Sequence, residues 1–279
     1  MLAAILAAFV VELVCYFTVA RRATWTLPRL WISALAPFLL YSIPAGVFRP
    51  EALAVLAVLA ALSVWWLPLT GRLPASDLVY LAFVAAAHLA GWHKFVYARP
   101  AEGIATEALG QLLWFRLGLA SILARRGSEG IGFGFFPSAS DWRIGVKLYV
   151  YCIPVVVSLM YLLDAAHFGV VRGAWWRAPA TFLGILWVVA LGEEVFFRGL
   201  LLERLRSRWG TVPALVVSSV LFGCVHLWYN RAFPNWKVVL LASAAGLFYG
   251  RAYIEARGVR AAMVAHALVV TTWKTLFTG

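Results

Sequence analysis

Charge is scarce in this sequence: Asp, Glu, Lys and Arg make up 13% of its 279 residues, against 63% hydrophobic ones. Soluble globular domains carry about 25% charged residues, so that class is excluded. Cysteine is scarcer still. Cys15, Cys152 and Cys224 each stand alone in an apolar stretch, without the paired spacing of a disulfide framework or a zinc knuckle, and each reads as a small buried hydrophobe. There is no HExxH, Gly-rich phosphate loop, dinucleotide fingerprint or haem-attachment pattern. There is no internal repeat either, which argues against the inverted repeats common among transporters. The net charge of +12 is spread over short loops and forms no single stripe, so nucleic acid is not an expected partner.

What the sequence has is apolar length. Mostly hydrophobic segments recur near 2–20, 30–48, 51–68, 77–93, 104–124, 145–163, 178–201, 212–229, 238–256 and 259–277. Each is long enough, as a helix, to cross about 30 Å of hydrocarbon. The expected fold is an all-α, polytopic transmembrane bundle of about 8–10 spans, with the lipid bilayer as its surroundings. The fifth segment is interrupted by Glu107, Gln111 and Arg116 and reads as either a span or an interfacial or re-entrant helix. The first lacks a basic n-region and is followed by Arg21 and Arg22, so it reads as a retained span and not as a cleaved signal.

The loops on one face hold 14 of the 24 basic residues, including Arg21, Arg22, Arg72, Arg125, Arg126, Arg204, Arg206 and Arg208. The other face holds 8, and Arg116 and Arg198 fall within segments. Loop asymmetry of this kind makes the richer face cytoplasmic and places both termini outside. The expected location is a bacterial cytoplasmic membrane. Trp175, Trp176, Trp228, Tyr229 and Trp236 sit near segment ends, where aromatic rings favour the interface.

Polarity changes in the middle of the chain. RRGSEGIGFGFFPSASDWR, at 125–143, is rich in Gly, Ser and charge. It reads as a cytoplasmic loop between N-terminal helices of undefined role, 1–124, and a chemically unusual half, 144–279. Glu12 and His88 in the first half read as isolated polar positions that hydrogen-bond between helices. The second half carries Glu193, Glu194, Arg198, His226 and His266 inside apolar segments.

Ionisable groups are costly in a bilayer and mark a protein interior or a water-filled cavity. Glu194 and Arg198 are spaced i to i+4 and form a natural ion pair. Glu193 projects about 100° away around the helix and needs a partner from another helix. If the chain turns at 209–211, Glu193 and His226 lie at nearly equal depth. His266, one to two turns into the last segment, can join them. Glutamate and histidine together can polarise a water molecule for hydrolysis, and a second imidazole can stabilise the oxyanion of an attacked amide. Two histidines and a glutamate also match a catalytic zinc ligand set. The expectation is therefore no cofactor, with zinc left open.

These residues resemble the CAAX protease and bacteriocin-processing family (CPBP, or Abi), glutamic-type intramembrane proteases. EExxxR matches Glu193, Glu194 and Arg198; FxxxH matches Phe222 and His226; and the block at 246–268 carries His266. The resemblance implies an intramembrane endopeptidase in which Glu193 and His226 activate water, Glu194 and Arg198 support the site, and His266 contributes to the oxyanion pocket. It implies a membrane protein or peptide as substrate: a prenylated C-terminal tail, a peptide precursor or a C-terminal sorting segment. The family usually places Asn or Asp four residues after its last histidine, where this chain has Val270. The competing class is a noncatalytic immunity or scaffold protein, or a proton-coupled transporter using Glu193. The GxxxG pattern at 246–250 reads as a site of close helix approach.

Overall fold

The computed structural model describes residues 1–19, 25–70, 76–102, 104–227 and 233–278. Each of the ten apolar segments contains a helix: α1 Leu2–Thr18, α2 Leu27–Ser42, α3 Pro50–Thr70, α4 Ser76–Leu89 with the short α5 Trp92–Val96, α6 Glu107–Arg126, α7 Ala139–Leu162, α8 Ala174–Trp209, α9 Thr211–Cys224, α10 Trp236–Ala256 and α11 Val259–Leu276. Four of them, α3, α7, α8 and α10, are long and apolar enough to cross a membrane; α1 and α9 are shorter apolar helices. The chain is a polytopic helical membrane protein. One small addition to the all-α expectation is an antiparallel pair of two-residue strands, β1 His167–Phe168 and β2 Phe277–Thr278. Arg21, Arg22, Arg72, Trp228 and Tyr229 lie outside the described residues, as do the side chains of His88, Arg125 and Arg126. Trp175, Trp176 and Trp236, near the N-terminal ends of α8 and α10, are exposed as interfacial rings would be.

The chain divides into two compact units, Met1–Gly127 and Ser128–Gly279. In the first, α1 packs on α2 and α6, and α3 on α2 and α6. Glu12 makes the interhelical hydrogen bonds that the sequence suggested, but as half of a buried ion pair and not as an isolated polar position. Its carboxylate accepts from Arg116 Nε at 2.6 Å and Nη2 at 3.0 Å, and Arg116 also donates to the Ser33 hydroxyl at 2.8 Å and the Ser33 carbonyl at 3.2 Å. Both charged side chains are fully buried. Glu107, at the start of α6, pairs with Arg99, and Gln111 approaches His93 Nε2 at 3.4 Å. The polar residues that interrupt the fifth segment are thus each matched by a partner within the unit, which is how a buried polar group becomes tolerable.

In the second unit α10 packs against α9, α7 and α11, and α11 against α7 and α8. Part of the stretch read as a loop is helical: α7 already begins at Ala139. Ser138 Oγ accepts from the Asp141 backbone at 3.3 Å while Asp141 accepts from the Ser138 backbone at 2.8 Å. Such a reciprocal cap satisfies two of the donors left open at a helix start. The Asp141 carboxylate also meets Arg260 of α11 at 3.1 Å. Gly210, at φ +79°, makes the turn between α8 and α9, a backbone conformation that side chains with a Cβ resist.

Glycine also sets how closely α9 and α10 approach. A Cβ at Gly223 would lie 2.5 Å from the Val239 carbonyl oxygen and collide with the Ser243 hydroxyl. One at Gly246 would lie 3.2 Å from Ser219 Cβ and 3.3 Å from the Arg198 guanidinium. Gly223→Ala is therefore expected to destabilise the protein by about 1–3 kcal/mol through overpacking. Thermal unfolding in detergent, followed by tryptophan fluorescence, checks this.

Candidate active site

The site is built on α8, whose hydrogen bonding changes along its length. Four α-helical residues, Leu191–Glu194, lie between two π-helical stretches, Ile185–Ala190 and Val195–Leu202. The i to i+5 bonding of a π turn widens the helix and shifts the phase of everything beyond it, and such turns concentrate at functional sites. Both carboxylates and the arginine fall on or beside this irregular stretch. The apolar pattern gave no sign of it, because only the bonding phase changes.

Glu194 and Arg198 are completely buried and paired. Arg198 Nη1 donates to Glu194 Oε1 at 3.3 Å, and Nη2 to the Gly246 carbonyl at 2.9 Å. Arg198 Nε approaches Glu194 Oε2 at 3.2 Å, yet neither atom is hydrogen-bonded. This is ionic contact at short range without donor alignment. The guanidinium also lies 4.6 Å from the Phe222 ring centroid and 5.6 Å from that of Tyr249. Three helices, α8, α9 and α10, therefore share one cation.

His266 is the link between this pair and Glu193. Its ring is buried on α11, with Nδ1 2.8 Å from Glu194 Oε1 and Nε2 3.8 Å from Glu193 Oε2. With a Glu194 oxygen as the acceptor of Nδ1–H, a neutral His266 ring presents Nε2 as an acceptor. Glu193 differs from its neighbour in exposure: its side chain is 23% exposed. Its Oε2, like that of Glu194, is buried and has no hydrogen-bond partner among the described residues. In the Nδ1–H tautomer, His266 Nε2 and Glu193 Oε2 are two acceptors at a separation too long for a hydrogen bond.

His226 sits just beyond the end of α9, not inside a continuing helix. Its Nδ1 lies 2.9 Å from the Phe222 carbonyl, and its own backbone N–H bonds the Gly223 carbonyl at 2.9 Å. The side chain takes the carbonyl that an unbroken helix would have given to the residue 226 amide, a local competition that ends helices. The Phe222 ring joins the two histidines, 5.1 Å from His226 and 5.6 Å from His266 between centroids. Thus Glu193, Glu194, Arg198 and His266 are in direct register, and His226 adjoins them across one aromatic ring. Among the described residues, no group of three or more His, Cys, Asp or Glu is arranged to hold a metal.

Sequence reasoning missed Tyr249. The GLFYG stretch read as a packing motif, but the Tyr249 ring stacks on His266 at 4.6 Å with 9° between planes, while Phe222 meets the same imidazole at 85°. Face and edge together fix the ring so that its two nitrogens point at the two carboxylates. The available signal was position: Tyr249 lies three residues after Gly246, on a neighbouring face of the same helix. Tyr249→Leu is expected to lower kcat about 2- to 10-fold with KM little changed, since stacking is worth about 0.5–1.5 kcal/mol. Tyr249→Phe should keep most of the rate. Steady-state kinetics on both variants checks the pair.

Residues 174–272 match the family model described as Type II CAAX prenyl endopeptidase Rce1-like. No curated protein matches the chain, and no solved structure does. The matched region contains all six motif residues and Tyr249.

Proposed function

We propose that this protein is an intramembrane endopeptidase that hydrolyses a peptide bond with a water molecule held between Glu193 and His266, a reading supported by the match of residues 174–272 to the Rce1-like CAAX endopeptidase model. The observation that carries this reading is Glu193 Oε2, buried and without a hydrogen-bond partner among the described residues, 3.8 Å from His266 Nε2. One water donating to both, at about 2.8 Å each, spans that separation and turns its lone pairs outward toward a substrate carbonyl. As the oxygen attacks the carbonyl carbon, its proton passes to the Glu193 carboxylate. The C–N bond then breaks, and the departing amine takes up the proton that Glu193 received, which restores the carboxylate.

Glu194 and Arg198 act one step back. Their ion pair keeps Glu194 an acceptor, Glu194 holds His266 in the Nδ1–H tautomer, and Nε2 is thereby turned to the water. In this reading the imidazole that shares the water with Glu193 is His266, where the sequence suggested His226. His226 Nδ1–H is directed at the Phe222 carbonyl; donation to the oxyanion, the role proposed for this residue, requires a second proton on Nε2.

The substrate proposed is a peptide segment presented at or within the bilayer, with a prenylated C-terminal tail as the leading class. The test uses the full chain in lipid nanodiscs with a prenylated peptide, a hydrophobic peptide precursor and a C-terminal sorting segment, in water enriched in oxygen-18. Cleavage should leave one heavy oxygen in the new carboxyl group and should survive chelation. Cleavage abolished by chelator and restored by metal would replace this mechanism with a metal-dependent one. Intact peptides in all three cases would favour the noncatalytic reading, for which Val270, carrying no hydrogen-bond donor in its side chain, is the supporting observation.

A further inference from the structure

Outside the candidate active site, the first unit holds an open cleft of about 620 Å³ between the turn leading into α3 and the segment around α5. Gly46, Phe48 and Arg49 line one side; Lys94, Phe95 and Ala98 line the other. We propose that this cleft binds the phosphate headgroup of an anionic lipid, with the acyl chain lying against Phe48 and Phe95.

Its position carries the first part of the argument. α3 is long and apolar enough to cross a membrane and begins at Pro50, so Arg49, the residue before it, stands where hydrocarbon gives way to headgroups. Phe48 is 41% and Phe95 45% exposed, which suits rings bordering that boundary.

Charge carries the second part. The Arg49 guanidinium lies 4.9 Å from the Phe95 ring centroid and donates to the Phe95 carbonyl. It is held in place while its side chain stays 38% exposed. Its nearest acid, Glu51, is 3.9 Å away, beyond hydrogen-bond reach, and 57% exposed. Lys94 is exposed, and among the described residues its ammonium has no carboxylate or hydrogen-bond partner. Arg99, next to Ala98, is already bound to Glu107 and adds little to the cleft. Two cations therefore face the cleft against one exposed, loosely placed acid. Basic pockets at the membrane surface recognise phosphate headgroups in this way.

The test titrates delipidated full-length protein in detergent with phosphatidylglycerol or phosphatidylcholine and counts bound lipid by native mass spectrometry. Phosphatidylglycerol should bind more tightly. Arg49→Gln with Lys94→Gln should weaken it about 30-fold, the effect of two surface charges, and leave phosphatidylcholine unchanged. Lys94→Glu alone disturbs no packing and should weaken phosphatidylglycerol at least as much as Lys94→Gln. An excess of free glycerol phosphate separates the two sources of phosphate: no displacement assigns the cleft to lipid, whereas displacement assigns it to a soluble phosphate ester and overturns the lipid. Equal phosphatidylglycerol affinity in the wild type and both variants would overturn the site. None of these readouts depends on hydrolysis.

Discussion

Replacing Glu193 by Gln is expected to cut peptide hydrolysis by about 10²–10⁴-fold, the usual contribution of a positioned general base. The substitution is nearly isosteric, so it keeps the partial exposure of the side chain and the packing of α8. What it changes is the atom facing His266 Nε2. An amide cannot take a proton from water, and its NH2 group can donate directly to Nε2 in place of the water. Thermal stability should hardly move, because the 23% exposed Glu193 side chain can rehydrate. Single-turnover cleavage assays on protein of matched stability check this. Wild-type rates in Glu193→Gln would remove Glu193 from the chemistry.

Replacing Arg198 by Met should act on the fold. It strands Glu194, which is fully buried and accepts from both Arg198 and His266. Removing one partner of a buried pair leaves an uncompensated charge and costs about 3–5 kcal/mol. The Gly246 carbonyl also loses its donor. Glu194→Gln combined with Arg198→Met should recover part of the loss, since no charge is then left alone, yet activity should stay low because His266 loses its ionised partner. Thermal unfolding and cleavage rates on the single and double variants separate these effects. A single variant as stable as the wild type would show that the pair contributes little to the fold.

The helical layout was legible because a bilayer-spanning chain has few options. Long apolar runs must become helices that satisfy their own backbone groups, and glycine at 210 marks one turn; the capping pair at 138 and 141 lay inside a stretch read as a loop. The Glu194–Arg198 pair was legible for the same reason: four residues make one turn, and two opposite charges in an apolar segment find each other. The partner of Glu12 was not legible, and for Glu193 the sequence offered His226 first and His266 second, whereas it is His266 that lies 3.8 Å away. Arg116 lies 104 residues from Glu12, and no spacing rule reaches that far. The π-helical stretches re-phase α8 without altering its apolar pattern, so the direction in which Glu193 points could not be counted off at 100° per residue. His226 left its helix because its own side chain captured the Phe222 carbonyl. Tyr249 was hidden inside a glycine pattern whose packing meaning is also correct: Gly246 lets α10 approach Arg198 and Phe222, and that approach accompanies the stacking of the Tyr249 ring on His266.

The central claim is that Glu193 and His266 work on one water as a unit. The most direct measurement is a double-mutant cycle on kcat/KM for Glu193→Gln and His266→Gln, made on variants that fold as the wild type does. Groups that act together lose their effect together, so the double variant should be no slower than the slower single variant, within about threefold. Losses that multiply, each substitution lowering the rate by its full factor in the presence of the other, would mean that the two residues act independently, and that no water is shared between them.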